Sequence, residues 1–180
     1  MILLSLWLAL PTWAQTPLPF TTQHGLAPMN SVIFCRKYPA DCRVSAPSGA
    51  QTRAQLESVN RAVNAAITGD LQKVGRPGID PWLLSPPTGN CADYAVTKRH
   101  ALLALGWGSA DLILATVTGA TIGGHVVLIV RTASENVVLD SLRPDIVSVT
   151  KTPYDWIEIQ DSTNPNYWLN VLDGPEPELN

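Results

Sequence analysis

The sequence has little of what several protein classes require. Across its 180 residues it contains no apolar run of the roughly 20 residues that a membrane-spanning helix needs. Basic residues are also few, since 12 lysines and arginines against 15 aspartates and glutamates give a net charge of -3, which argues against a nucleic-acid-binding protein. The composition, with 46% apolar and 15% charged residues, argues against coiled coils, collagen and wholesale disorder.

Cysteine is scarce as well, and the three cysteines are unevenly placed. No Cys-x-x-Cys motif or histidine cluster accompanies them, so the sequence does not support a metal site. Cys35 and Cys42 lie seven residues apart, and Pro39 can turn the chain between them, which suits a disulfide outside the cytoplasm. Two reduced cysteines, or half of a metal site, are the alternatives. Pairing them leaves Cys91 alone, as an inert buried thiol, an intermolecular bridge or a nucleophile.

The N-terminus is typical of an export signal. Residues 2–10 are almost entirely apolar, and cleavage is expected after Ala14. A buried N-terminal strand or helix is the alternative interpretation. We therefore predict a signal peptide over residues 1–14 and a single domain over residues 15–180, in the periplasm or outside the cell. A domain of this length can bury a core of its own.

The rest of the chain predicts helices first and a sheet afterwards. Apolar spacing and capping residues predict helices over residues 52–68 and 91–105. Short apolar segments predict strands over residues 111–118, 125–132, 137–140, 146–149 and 156–160. The proline-rich segments over residues 15–48 and 70–90 are expected to be loops, and the tail after residue 164 is polar and contains prolines. This order indicates an α+β fold.

Cys91 is expected in the first turn of the second helix, directly after the capping residue Asn90. Unpaired backbone N–H groups at a helix start favour negative charge, and therefore favour the thiolate that acts as a nucleophile. The same N–H groups can stabilise an oxyanion. A cysteine at a helix start is a weak signal by itself, because inert buried cysteines are common.

One of the three histidines suits the base that a thiol nucleophile needs. His24 lies in the N-terminal loop and His100 falls on the far side of the cysteine's helix, so both are interpreted as structural or surface residues. His125 opens an apolar strand and Asp140 ends the next one, so an antiparallel hairpin would bring them together. The sequence thus predicts a site of Cys91, His125 and Asp140. A histidine at a strand edge and a turn aspartate are the alternative.

Three motifs resemble the bacterial transglutaminase-like cysteine peptidases. They are Gly-Asn-Cys-Ala-Asp-Tyr-Ala at residues 89–95, Gly-Gly-His-Val-Val-Leu at residues 123–128 and Val-Leu-Asp-Ser at residues 138–141. They occur in the family's order, and the likeness extends over residues 31–168. The resemblance implies a papain-like or transglutaminase-like α+β core, with the catalytic helix packed on an antiparallel sheet. It also implies that Cys91 is the nucleophile, His125 the general base and acid, and Asp140 the orienting residue.

The resemblance further implies the hydrolysis of peptide bonds through a thioester acyl-enzyme. The family includes periplasmic proteases that release surface adhesins, so a cell-surface or periplasmic protein is the expected substrate, and the resemblance also allows a membrane-anchored regulator. Trp82 is a candidate to line the substrate cleft. The alternatives are acyl transfer to an amine, as in transglutaminases, and a non-catalytic envelope binding domain that keeps the fold.

Some members of the family use calcium, held by acidic residues that flank the cysteine. Here Asn90 and Ala92 stand where the family has acidic residues, and Asp93 is the candidate ligand that remains. Calcium sites need several oxygen ligands, commonly carboxylates. The loss of two acidic groups should weaken such a site greatly, so we expect no cofactor and doubt a calcium requirement.

Overall fold

A computed structural model of the protein describes residues 15–70, 80–119 and 122–175. The predicted signal peptide, residues 1–14, lies outside the described residues, so the division into a signal and one domain stays a prediction. Within the described ranges, no helix combines the length and the apolar character needed to cross a membrane.

The described residues form three α-helices and nine β-strands. The helices are α1 (Met29–Lys37), α2 (Arg53–Ala66) and α3 (Cys91–Ala104). The strands are β1 (Thr21–Gly25), β2 (Thr68–Gly69), β3 (Thr88–Gly89), β4 (Leu112–Gly119), β5 (Ile122–Arg131), β6 (Asn136–Leu139), β7 (Val147–Ser148), β8 (Asp155–Gln160) and β9 (Trp168–Asp173). The predicted helices and strands between residues 52 and 160 are found with ends shifted by at most three residues.

Seven of the strands form one antiparallel sheet in the order β1-β9-β8-β4-β5-β6-β7. Strands β4, β5 and β6 are neighbours in both sequence and space, as expected for strands joined by short turns. The helices pack beside this sheet, so the predicted α+β class is confirmed. Strands β2 and β3 form a separate parallel pair, which ties the end of α2 to the residues just before α3.

Helix α2 is an amphipathic helix with a defined start. Thr52 caps it: its hydroxyl accepts a hydrogen bond from the Gln55 N–H, and the Gln55 side chain accepts one from the Thr52 N–H. This capping box provides acceptors for N–H groups that a helix start leaves unpaired. The buried face presents Leu56, Val59 and Val63 to the core. The periodic apolar spacing that predicted this helix therefore marks its buried side.

Helix α3 is buried on most of its surface. It contacts α2 on one side and β5 and β4 on the other. Its buried residues include ionisable ones, and the Arg99 guanidinium donates to the main-chain carbonyls of Leu112 (3.0 Å) and Asp41. An enclosed helix has no continuous polar face, so capping residues rather than amphipathic spacing identify it in the sequence.

The central strands carry apolar side chains on both faces of the sheet. One face joins the helices in a core that contains residues such as Leu114, Leu128 and Leu139. The opposite face forms a second core with Val127, Ile129 and Trp156 among its members. Strands covered on both faces lose the alternation of apolar and polar residues, which is why β5 and β6 appear in the sequence as short continuous apolar runs.

The prediction of a loop over residues 15–48 is wrong. This segment contains β1, α1 and a short 3-10 helix at Pro39–Cys42. Strand β1 gains its hydrogen bonds from β9, almost at the other end of the chain. The polar tail after residue 164, for which the sequence predicts no strand, contains β9, which pairs with β1 and β8. Strands whose partners lie so far away in the sequence show little local sequence pattern from which they could be predicted.

The Cys35–Cys42 disulfide is present in the structure. It joins α1 to the 3-10 helix, with a distance of 5.5 Å between the two Cα atoms. A cross-link of this kind lowers the conformational freedom of the unfolded chain. The bridge holds Asp41 beside the second half of α3, where its carbonyl accepts from Arg99.

Candidate active site

The start of α3 is fixed by a reciprocal cap. The Asn90 side-chain oxygen accepts hydrogen bonds from the N–H groups of Ala92 (3.0 Å) and Asp93 (3.3 Å). In return, the Asp93 carboxylate accepts one from the Asn90 N–H (3.0 Å). This arrangement pairs N–H groups that would otherwise lack partners in the first turn. It makes Cys91 the first residue of the helix.

Asp93 also ties the preceding loop to the helix start. Its other carboxylate oxygen accepts from the Leu83 N–H at 2.8 Å. The Asn90 amide donates to Asp80 at 2.6 Å, which adds a second link to the same loop. Gly89 packs so closely that a Cβ there would lie 2.7 Å from an Asp93 oxygen. These contacts hold the backbone on both sides of the thiol.

Cys91 is the free thiol of the chain, because the other two cysteines are joined in the disulfide. It is half-buried at the start of α3. Its sulfur interacts with the imidazole of His125, which contributes to the pKa of that ring. The structure therefore brings together a helix-start thiol and a histidine from a strand 34 positions later, as their numbers show.

His125 lies on β5, opposite Val117 of β4, and only 6% of the residue is exposed. Its Nε2 atom lies 2.8 Å from an Asp140 carboxylate oxygen. Since Nε2 faces the carboxylate, Nδ1 is the ring nitrogen left for the sulfur of Cys91. The ring thus stands between a thiol and a carboxylate, which is the arrangement that activates a cysteine nucleophile.

The environment of His125 favours the charged imidazolium. Burial lowers the pKa of the ring, but the hydrogen bond to Asp140 and the interaction with Cys91 outweigh it and raise the pKa to about 9. A negative group that interacts with a histidine stabilises its protonated form. The charged imidazolium is therefore favoured around neutral pH.

Asp140 follows directly after β6, and only 1% of the residue is exposed. The carboxylate oxygen that faces His125 also accepts from the Leu142 N–H at 3.0 Å. The other oxygen accepts from the Tyr154 hydroxyl. Burial raises the pKa of Asp140, but these three hydrogen bonds outweigh it and hold the pKa below its ordinary value. The residue is thus held as a carboxylate.

A comparison with protein families decides the identity of the chain. Residues 21–176 match the family described as bacterial transglutaminase-like cysteine proteinase BTLCP. The chain belongs to this family. It is therefore a cysteine peptidase, and the resemblance on which the sequence prediction rested is confirmed.

Solved structures of similar proteins support the peptidase fold. Calcium-bound LapG from Legionella pneumophila is 23% identical with a TM-score of 0.57, over 71% of this chain and 73% of that one. A second LapG structure from the same organism is 25% identical with a TM-score of 0.52, over 68% and 70% of the two chains. An EGTA-treated form is 26% identical with a TM-score of 0.50, over 59% and 62%. No curated protein gives a significant match.

The expectation that the peptidase uses no cofactor requires correction. Similar structures are described as calcium-bound and as EGTA-treated, which makes calcium relevant to proteins of this fold. Within the part of the chain that the structure describes, no three His, Cys, Asp or Glu residues lie together as a metal site would need. Asp93, the remaining candidate from the sequence, directs both carboxylate oxygens at backbone N–H groups. No chemical step is therefore assigned to a metal.

Tyr154 is a site residue of the peptidase that the sequence does not reveal. It lies just before β8, donates to Asp140, and its ring centroid is 5.9 Å from that of His125. Burial and the neighbouring Asp140 carboxylate both raise the pKa of its hydroxyl, so it stays a hydrogen-bond donor. Nothing in the sequence around residue 154 carries a motif that would have identified it.

The other two histidines and Trp82 have contacts of their own. His100 contacts Asp41 (Nδ1 to Oδ1, 2.9 Å) and His24 lies on β1, as expected of structural or surface residues. Trp82, the candidate for the substrate cleft, is 5% exposed and stacks near Phe34 and Trp168 in the core. Its burial leaves little surface for a substrate, and the apolar packing around it accounts for its presence.

The surface beside His125 is open. Gly123 and Gly124 precede the histidine on β5, and both are exposed. A Cβ atom at either position would have no neighbour within 4 Å. A separate cavity of about 640 Å³ lies among Leu56, Trp107 and the turn after β5, and none of the three site residues lines it. The candidate site therefore lies next to an exposed stretch of β5 at the glycine pair.

Proposed function

We propose that the peptidase hydrolyses peptide bonds with Cys91 as nucleophile, His125 as general base and acid, and Asp140 as the residue that orients the imidazole. The observation that carries the proposal is the placement of His125, which lies 2.8 Å from Asp140 and interacts with the thiol at the start of α3. Mutual contact of a thiol, a base and an orienting group is the geometry that nucleophilic catalysis requires.

The first half of the reaction forms a thioester. The Cys91 thiolate attacks the carbonyl carbon of the scissile peptide bond, and the carbonyl oxygen becomes an oxyanion. The Asn90 cap uses the N–H groups of Ala92 and Asp93, so the Cys91 N–H is the donor that we assign to this oxyanion. The intermediate then expels the amine, which takes a proton from the His125 imidazolium.

The second half releases the acyl group. His125, now neutral, accepts a proton from a water molecule as the water oxygen attacks the thioester carbon. The new tetrahedral intermediate collapses, the carbon–sulfur bond breaks, and the acid product leaves. The thiolate–imidazolium pair is restored, so protons balance over the cycle. Asp140 keeps the ring in one orientation throughout, while Tyr154 and the Leu142 N–H hold the carboxylate itself.

The proposal includes export and a protein substrate. The disulfide is of a kind that persists in oxidising compartments, and the apolar residues 2–10 suit a signal that is removed after Ala14. The single domain over residues 15–180 would then work in the periplasm or outside the cell. Its substrate would be a periplasmic or surface protein, and a membrane-anchored regulator of the peptidase fits the same location.

Calcium belongs to the proposal because similar structures are described as calcium-bound and EGTA-treated. We expect added calcium to raise the midpoint of thermal unfolding and EGTA to lower it, since a ligand that binds the folded state stabilises it. Magnesium at the same concentration is the control. An unfolding midpoint that neither calcium nor EGTA changes would remove calcium from the proposal.

Alkylation gives a direct test of the nucleophile, because the disulfide protects the other two cysteines and leaves Cys91 as the thiol that iodoacetamide labels. A free cysteine is largely protonated at pH 6, so we expect Cys91 to react roughly tenfold faster than a model thiol at that pH. His125→Ala should remove this advantage. Equal rates for the wild type and the model thiol would contradict an activated thiolate.

Cleavage of a peptide library tests the whole function. Cys91→Ala should abolish cleavage while the circular dichroism spectrum stays unchanged, and retained cleavage would remove Cys91 from the mechanism. Mass spectrometry of the products separates hydrolysis, which gives a new carboxylate, from transfer to an added primary amine, which gives an amide. Comparison of envelope and secreted proteins in cells with wild-type and Cys91→Ala enzyme then identifies the substrate.

A further inference from the structure

The mechanism above gives no role to α2, although one side of this helix faces the turn that begins with Asp140. The turn covers residues 140–146, between β6 and β7. Three polar side chains of α2 donate hydrogen bonds to main-chain carbonyls of this turn, and they belong to Arg53, Asn60 and Asn64. Side chains seven and four positions apart lie on one side of a helix. Beside its apolar face, α2 therefore presents a polar stripe to the turn.

The two asparagines use their amide groups in the same way. The Asn64 Nδ2 atom lies 2.9 Å from the carbonyl oxygen of Asp140 and 3.1 Å from that of Arg143. The Asn60 Nδ2 atom lies 3.1 Å from the carbonyl oxygen of Arg143 and 3.0 Å from that of Pro144. An asparagine NH2 group has two protons, so each residue donates both of them to the turn. A flipped amide would place oxygen against oxygen, so these contacts fix the orientation of both amides.

Both asparagines are shielded from water. Asn60 is 0% exposed and Asn64 is half-buried. Their side-chain oxygens are buried and accept no hydrogen bond from the residues that the structure describes. A buried acceptor without a donor is unfavourable, and a leucine of similar size would not introduce one. What an asparagine supplies at these positions, and leucine would not, is donation to the carbonyls of the turn.

The end of α2 is also joined to the start of α3. The Tyr94 hydroxyl of α3 donates to the main-chain carbonyl of Ile67, the residue that ends α2. The strand that follows, β2, pairs with β3, whose last residue, Gly89, lies two positions before Cys91. The segment from Asn64 to the end of β2 therefore contacts both the turn and the residues that lead into the nucleophile.

The contacts of Asp140 act at two levels. Tyr154 and the Leu142 N–H hold its carboxylate. Leu142 belongs to the same turn, so its hydrogen bond does not fix the position of the turn itself. Asn64 holds the main chain of Asp140, and it does so from an element that is tied to α3. A displacement of about 1 Å at a distance from the reacting atoms can lower a rate by about 100-fold, so the placement of this main chain matters.

Building on the proposed function, we propose that Asn64 is a positioning residue whose amide fixes the main chain of Asp140 relative to α3. The Asp140 carboxylate is thereby directed at His125 while the imidazole meets Cys91. Asn64 touches neither the substrate nor the reacting atoms. Its influence passes through Asp140 to the imidazole, so it appears in turnover and in the state of the imidazole rather than in substrate binding.

The test replaces Asn64 by leucine, which has a similar volume and no donor. We expect Asn64→Leu to lower kcat about tenfold, with KM within about twofold, because a group that orients the site is displaced and substrate contacts are kept.

Proton NMR of the ring C–H groups gives a second measurement, the pKa of His125, and the signals are assigned by their absence in His125→Gln. The hydrogen bond to Asp140 raises this pKa, so its weakening in Asn64→Leu should lower the pKa towards the ordinary value. The other groups that interact with the ring, Cys91 and Tyr154, are unchanged in the variant.

Asn60→Leu is the matched control. Asn60 lies one turn earlier on the same side of α2 and donates two hydrogen bonds to the same turn, but neither of them goes to Asp140. It is also the more buried of the two residues. We expect Asn60→Leu to lower the unfolding midpoint at least as much as Asn64→Leu does, with kcat within about twofold of the wild type and an unchanged pKa of His125.

Two results would overturn the proposal. One is an Asn64→Leu enzyme with the kcat and the His125 pKa of the wild type. The other is an equal change of both quantities in Asn60→Leu, which would indicate a general loosening of the turn. If either leucine variant does not fold, serine replaces leucine at both positions and the same comparison decides. A serine hydroxyl in a helix bonds to the carbonyl of its own preceding turn, so it does not reproduce the donation.

Failure of the proposed function looks different from failure of this inference. In that case the wild-type enzyme itself shows neither Cys91-dependent cleavage nor fast labelling of Cys91. Both measurements are therefore made on the wild type before the asparagine variants are compared.

Discussion

Helix α3 meets a histidine–aspartate pair near each of its ends, and the two pairs have nearly the same length. At its start, His125 lies 2.8 Å from Asp140. Near its other end, His100 lies 2.9 Å from Asp41. The side chains of the first pair are 7% and 1% exposed, whereas His100 is 52% exposed beside a buried Asp41.

The two pairs differ in their surroundings and not in their distance. The buried pair has a thiol on the free side of the imidazole and a tyrosine on the far oxygen of the carboxylate. The other pair lies at the disulfide turn, where the main-chain carbonyl of Asp41 also accepts a hydrogen bond from the Arg99 guanidinium. In water an ion pair is weak and screened, while burial strengthens it and fixes its geometry. The surroundings of the His125–Asp140 pair are therefore those of a candidate active site. The His100–Asp41 pair instead holds α3 against the disulfide turn.

The largest expected difference between the pairs comes from removing each histidine. His125→Ala should lower kcat/KM for peptide cleavage by about 10³-fold, because the proposed general acid and base is lost. His100→Ala should stay within about twofold of the wild type, since an exposed pair contributes little. Steady-state kinetics on both variants is the measurement. Similar losses of kcat/KM in the two variants would show that the two histidine–aspartate pairs do not differ in function.

Removing the charge of each carboxylate should give a smaller contrast. Asp140→Asn should lower kcat/KM about 100-fold, because the asparagine amide would favour the wrong tautomer of the His125 imidazole. Asp41→Asn should lower the unfolding midpoint while kcat per folded molecule is unchanged. Kinetics is paired with thermal unfolding on the same samples. If Asp140→Asn kept full activity, a group other than Asp140 would have to orient the His125 imidazole.

The smallest effect is expected in the pH dependence of stability. The folded-state pKa of His125 is raised to about 9, above the ordinary value of 6.5. Its contribution to the free energy of unfolding is therefore complete below pH 6.5 and lost as the pH rises to about 9. Because burial lowers the pKa of Lys98 to about 7, an opposing contribution from that residue rises over the same range, so the decline is sought as a difference between variants. The unfolding free energy of the wild type minus that of His125→Gln, measured in denaturant between pH 6 and 9.5, should show the decline. The same difference taken with His100→Gln, which leaves His125 in place, should not.

The parts of the fold that sequence predicts are those decided by nearby residues. Asn90 and Gly106 delimit α3 because a cap and a stop act within one turn of the chain, and Gly106 adopts a positive φ of 87° after the helix. The hairpin of β5 and β6 is local for the same reason. Its register places Leu128 opposite Leu139, so His125 and Asp140 fall near each other.

The parts that escape prediction depend on distant partners. Thr22 pairs with Val171 across nearly the whole chain, and neither segment has a strong strand pattern. Tyr154 joins the candidate site because the fold directs its hydroxyl at Asp140, which no spacing in the sequence encodes. Trp82 shows the opposite case, in which an aromatic residue close to the cysteine in sequence belongs to the core.

The glycine pair before His125 has a consequence for recognition. Strand β6 pairs with β5 from Leu128 onward, so the part of β5 that carries Gly123 and Gly124 lies beyond that pairing. Neither glycine has a side chain that would block an extended segment from approaching the backbone here. We expect the enzyme to accept an extended polypeptide on this flank by its backbone and to tolerate many different side chains there.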